Sequence, residues 1–140
     1  MARFQTIVFY HAPPWVWALA IFVASSIPAT YLPKIVLLSP DKLLHAAVFF
    51  VLAWLIYRSI AASRSTSWIR THALTVTFLD SIVYAFFDEA HQHFVPGRVV
   101  DPFDVAADVV GISLFVLAIR TVFRIRTRRA EVALGRNKTE

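Results

Sequence analysis

Four stretches of this 140-residue chain are each long and apolar enough to cross a bilayer, and they leave little sequence for anything else. A spanning helix needs about 20 mostly apolar residues. The candidates run from about Trp15 to Leu32, Lys42 to Ile60, His72 to Gln92 and Phe103 to Val122. Hydrophobic residues make up 58% of the chain, charged residues 16%, and mean hydropathy is +0.61. A soluble domain carries roughly 25% charged residues, so there is too little polar surface here to coat a soluble globule. The expected fold is all-α, a polytopic membrane protein with four transmembrane helices. Trp15, Trp17, Tyr31, Trp68, Phe94 and Phe123 stand near span ends, where an interfacial aromatic belt would lie. A secretory leader cleaved near Ala24-Ser25-Ser26 is disfavoured, because aromatic residues and Pro13-Pro14 precede the apolar run.

The net charge of +5 would suggest nucleic acid in a soluble protein. Here the basic residues gather at span ends, where they set topology or meet anionic lipid, and no nucleic-acid partner is expected. Arg3, Arg58, Arg64, Arg70, Arg120, Arg124, Arg126, Arg128, Arg129, Arg136 and Lys138 share one side, against Lys34, Lys42 and Arg98 on the other. The positive-inside rule then puts both termini in the cytoplasm. The loops from Pro33 to Asp41 and from His93 to Pro102 are then expected to face outward. Residues 1–125 form the membrane domain and 126–140 a basic cytoplasmic tail, expected to be disordered. There is no cysteine, hence no disulfide and no thiolate metal site.

Against this apolar background, residues 88–111 concentrate acids, histidines, a glutamine and an arginine. Charge near a bilayer is expensive and calls for a reason. Both outward span starts look like helix N-termini. Ser39-Pro40-Asp41 supplies a cap, a proline at the first helical position and an acid. Asp101-Pro102-Phe103-Asp104 approaches a capping box, after a Val95-Pro96-Gly97-Arg98 turn. Asp41 and His45 share a helix face, as do Glu89 and Gln92. Asp101, Asp104, Asp108 and Gly111 fall on one stripe, where Gly111 permits close helix packing.

Capping does not explain Asp104 and Asp108 together. Three chemistries suit the set. Arg98 pairs with Asp104 or Asp108 and pins the loop; or Glu89, His45 and Asp104 do acid–base work; or carboxylates and histidine hold a hard divalent cation. No metal-ligand spacing is diagnostic. Asp41, Gln92, Arg98, Asp101 and Asp108 would contact a ligand, with Arg98, Lys42 and two helix N-termini suited to an anion. Asp80, deep in the third span, is expected to be a buried, neutral, hydrogen-bonded carboxyl. His91 and His93 fit the interface.

The combination resembles the VanZ-like family of small bacterial membrane proteins. The resemblance rests on Ser25-Ser26-Ile27-Pro28, Asp41-Lys42-Leu43-Leu44-His45, and Glu89-Ala90-His91-Gln92 followed by Phe94-Val95-Pro96-Gly97-Arg98, Asp101, Asp104, Asp108 and Gly111. It implies a four-helix membrane fold, and an association with resistance to the glycopeptide teicoplanin. The family pattern usually has Asn where this chain has Asp108, which adds a negative charge among acids. Three functions follow as expectations. The first is binding of a lipid-linked anionic headgroup, such as a cell-wall precursor. The second is hydrolase or transferase action on a lipid-linked phosphate or sugar. The third is a structural or accessory subunit among membrane lipids.

Overall fold

The computed structural model describes residues 5–31, 38–63 and 67–136. Arg3, Lys34, Arg64, Lys138 and most of the expected 33–41 loop lie outside them, as do the side chains of Tyr31, Ser39 and Arg136.

The described residues are helical with short connections. A π-helical turn, Ile7–His11, leads into α1 (Ala12–Ser25), and a 3-10 turn spans Ala29–Tyr31. Then come α2 (Leu38–Ala62), the short α3 (Ser67–Thr71), α4 (Ala73–Gln92) and α5 (Pro102–Arg136). Pro13 and Pro14 explain the irregular entry to α1. Proline has no N–H to return to the carbonyl four residues earlier. The Phe9 carbonyl is thereby left over, and the Arg58 guanidinium of α2 donates to it. Arg58 also lies 5.2 Å from the Tyr10 ring centroid and 5.4 Å from that of Trp54.

α2 packs along α5 and also against α4, with α1 laid across α2 and α4. Phe49, Leu52, Ala53, Ala85, Ile112 and Phe115 form the core. Cross-ties run from aromatic donors to helix carbonyls: Trp17 Nε1 to Val48 O at 3.1 Å, and Tyr84 Oη to Ala18 O at 2.6 Å. At the other end of α1, His11 Nδ1 meets Ser59 Oγ at 2.8 Å.

Polarity is inverted relative to a soluble protein. Trp15, Leu19, Val83, Phe86 and Leu117 are exposed, while Thr77, Ser81, Asp88, Glu89, Gln92, Asp104 and Asp108 are buried. Among the described residues, three helical segments are long and apolar enough to cross a membrane: Ile7–Ser25, Asp41–Ala62 and Pro102–Leu134. α4 has the length, but Asp80, Asp88 and Glu89 lower its hydropathy. Its buried stripe is Ala73, Thr77, Ser81, Ala85, Asp88, Glu89 and Gln92, small or polar residues that let it approach its neighbours.

Two expectations meet different facts. Asp80 is exposed rather than buried, because it sits to one side of that stripe rather than on it. α5 continues as helix through Arg136, where the sequence reading has a tail begin at residue 126. At 1.5 Å per residue, its 35 residues reach about 50 Å, well beyond a hydrocarbon core of about 30 Å.

α2 and α5 approach each other closely at Gly111. A Cβ there would lie 1.9 Å from the Ala46 carbonyl oxygen and 2.8 Å from its Cα. The obstructing atoms are backbone and cannot rotate away. Gly111→Ala should therefore destabilise the bundle by about 1–3 kcal/mol, read as a lower melting temperature in detergent. Ala46→Gly should fail to restore it; a rescue would show that side-chain crowding, not backbone contact, sets the spacing.

Candidate functional site

The polar residues meet where the starts of α2 and α5 and the end of α4 come together. Asp101 caps α5: its Oδ1 accepts the Phe103 N–H at 2.9 Å, and its carbonyl accepts the Asp104 N–H at 2.8 Å. In a capping box, the acid at the third helical position would take the N–H of the cap residue. Here that N–H goes to Glu89 Oε1 of α4, at 2.5 Å. Glu89 thus completes the cap from another helix, and Asp104 is released for other work.

Asp104 turns to Lys42. The Lys42 ammonium donates to Asp104 Oδ1 and, at 2.6 Å, to Asp101 Oδ2; Asp41 Oδ2 lies 3.8 Å away. The expected pairing of Arg98 with Asp104 or Asp108 is not formed. Lys42, one turn into α2, reaches these acids first, and Arg98 is drawn to the other side of the loop. Its Nε donates to the Ile27 carbonyl at 3.2 Å, and its Nη2 to that of Ala24 at 3.3 Å. These carbonyls lie at and just beyond the end of α1, where a cation also suits the helix dipole. The preceding turn has the expected form, with Gly97 at φ 76° and Arg98 N donating to Val95 O at 3.1 Å. Pro96 O accepts the Ala29 N–H, so the loop is fastened to the chain beyond α1.

Deeper in, His45 Nδ1 stands 3.1 Å from the buried Asp108 Oδ1, and its Nε2 is 3.8 Å from Asp104 Oδ1. One ring nitrogen is fixed by a buried carboxyl, and the other faces the Lys42 cluster. Asp41 is exposed at the mouth. Asp41, His45 and Asp104 each offer a ligand atom, all within 4.8 Å of one another. That donor set suits a hard divalent cation, although Lys42 already neutralises Asp104.

Gln92 is buried but belongs to a neighbouring network. Its Nε2 lies 3.4 Å from Asp88 Oδ2, and Asp88 Oδ1 accepts the Ser25 hydroxyl at 2.6 Å. Ser26 Oγ meets His91 Nε2 at 2.9 Å, and the His91 ring stacks on Phe22. The structure therefore joins Asp41, His45, Glu89, Asp101, Asp104 and Asp108. It sets Gln92 beside them and carries Arg98 away to α1. Sequence reasoning counted Lys42 as a donor to an anion but not as the partner of Asp101 and Asp104, and it left Ser25 and Asp88 out of the site. The signal for that second pair was a serine at a span end and an aspartate with no assigned partner.

A family model described as VanZ/LLP1 matches residues 3–124 of the chain. No curated protein and no solved structure matches it.

The hydrogen bond from Lys42, reinforced by the Phe103 N–H, holds the Asp101 carboxyl below its ordinary 3.8. A depressed carboxyl pKa contributes stability that is present above the unfolded value and lost as pH falls through the folded one. Asp101→Asn keeps the cap but not the charge. The gap in melting temperature between wild type and Asp101→Asn should be full at about pH 6 and close below about pH 4. A gap independent of pH would mean that the Lys42 pairing does not stabilise the fold.

Proposed function

Because the chain belongs to the VanZ/LLP1 family, we propose that it is a four-span bacterial inner-membrane protein whose outward end binds the headgroup of a lipid-linked envelope precursor. α4 is the fourth span: its acids lie on or beside its buried stripe, apart from Asp80, and Leu79, Val83, Phe86 and Phe87 are exposed. The basic-residue bias supports cytoplasmic termini, with Lys42 and the 93–101 loop outside.

The observation that carries the reading is the convergence of Lys42 and His45 with five carboxylates at one helix-bundle mouth. Packing does not require it. Buried ion pairs are seldom more stable than the apolar side chains that could replace them. Lys42 is the cation that stands among these acids at the mouth, whereas Arg98 is turned to α1. Acids outnumber cations, so a phosphate enters best with a divalent cation held by Asp41, His45 and Asp104. Such a cation would screen the carboxylates and bridge them to phosphate oxygens. Binding the precursor headgroup would also connect the protein to glycopeptide resistance, teicoplanin included.

A second reading has its own support in the His45–Asp108 pair. A histidine oriented by a buried carboxyl, with its second nitrogen free toward the mouth, is arranged for proton transfer. In a hydrolase or transferase on a lipid-linked phosphate or sugar, His45 and Glu89 would move the proton and Asp104 would position Lys42.

Native mass spectrometry with added polyprenyl phosphate and Mg2+ separates these readings. Wild type and Lys42→Arg should retain the lipid, and Lys42→Ala should lose it about tenfold or more, roughly 1.4 kcal/mol. Arg98→Ala should melt earlier yet keep binding. Undiminished binding by Lys42→Ala overturns the headgroup reading. Phosphate release by wild type, absent in His45→Gln that still binds, would establish the enzyme; no turnover by wild type on phosphate- and sugar-bearing lipids rejects it.

A further inference from the structure

A second feature lies away from this cluster. Asp80 stands seven residues into α4, about 10 Å along the helix from its start. It is exposed on the membrane-facing side, and it has no hydrogen-bond or ion-pair partner among the described residues. A carboxyl at that depth is costly unless something meets it. Asp80, Val83, Tyr84 and Phe87 recur at helical spacing along one stripe of α4. Together with α1 and α2 they enclose a groove of about 510 Å3, whose walls are otherwise almost wholly apolar. Two other polar groups along it are already used: Tyr84 Oη donates to Ala18 O, and Ser59 Oγ pairs with His11.

We propose that this groove binds a lipid-soluble organic cation, an apolar body carrying an ammonium that pairs with Asp80. Charge complementarity selects the cation. The aromatic faces of Trp15, Tyr84 and Phe87 along the groove add cation–π attraction. The volume is that of a small-molecule site, within about 300–1,000 Å3. A phospholipid headgroup amine is held at the interface by its own phosphate and acyl chains, so the ligand is a free membrane-soluble organic cation. Asp80 takes no part in the Lys42 cluster, and the two sites stand or fall separately.

The full-length protein in phosphatidylcholine nanodiscs is titrated with ethidium, an apolar organic cation whose fluorescence rises on leaving water. Saturable binding is expected for wild type. Asp80→Asn should weaken it about tenfold or more, and Val83→Trp, which fills the groove, should abolish it. Asp80→Asn leaves the fold intact, because no contact depends on the carboxyl, and it should still retain polyprenyl phosphate at the other site. Equal affinity in wild type and Asp80→Asn overturns the proposal and assigns the groove to lipid tails. Binding no greater than to empty nanodiscs also overturns it, and a dimer under those conditions gives the groove to a second copy.

Discussion

The structure turns on the Lys42 ammonium, held between the carboxylates of Asp101 and Asp104. It is the bond that lets α2 and α5 begin side by side. Each helix start carries a partial positive charge, and two such ends would repel if left alone. The acids at their first turns reverse the sign, and then repel in their turn. Lys42 settles the second imbalance, and Glu89 removes the remaining loose end by taking the Asp101 N–H. Withdrawing Lys42 would strand carboxylates that are only 11% and 37% exposed. Left without a counter-charge, the two carboxylates would repel each other at the start of α5.

Much of this was legible in the sequence. Spacing put Asp41 with His45, and Asp101 with Asp104, Asp108 and Gly111, and these pairs do meet. The turn at Gly97 and the cap at Asp101 followed from local backbone chemistry, which needs no knowledge of neighbours. What could not be read was the choice of partner across helices. Arg98 and Lys42 were both basic residues near the same acids. Their assignment depends on which side of a loop each side chain leaves, and that is set by the fastening of Pro96 to Ala29. Asp80 shows the same limit. A helical acid deep in an apolar run is usually turned inward, but its direction is fixed by the phase of the buried stripe from Ala73 to Gln92.

That stripe also explains why α4 is not among the three helical segments of the described residues that are apolar enough to cross a membrane. In lipid, apolar side chains gain little by facing one another, so association relies on small residues and polar contacts. α4 carries those on its inner face, and the same residues depress its average. The helix that does most to organise the polar interior is thereby the one that composition alone reads as marginal.

Asp108 draws these threads together. Asn at that position would accept a hydrogen bond from His45 Nδ1 as well as Asp does, so the geometry alone does not require a charge. With Asp, the same contact carries a buried charge that a neutral amide would lack, and a charge at that depth calls for a partner. His45 stands there, its Nδ1 3.1 Å from the carboxylate. What Asp108 adds over an amide is therefore electrostatic rather than geometric: it ties α5 to the ring on α2 by charge as well as by hydrogen bond, and it does so without moving a helix.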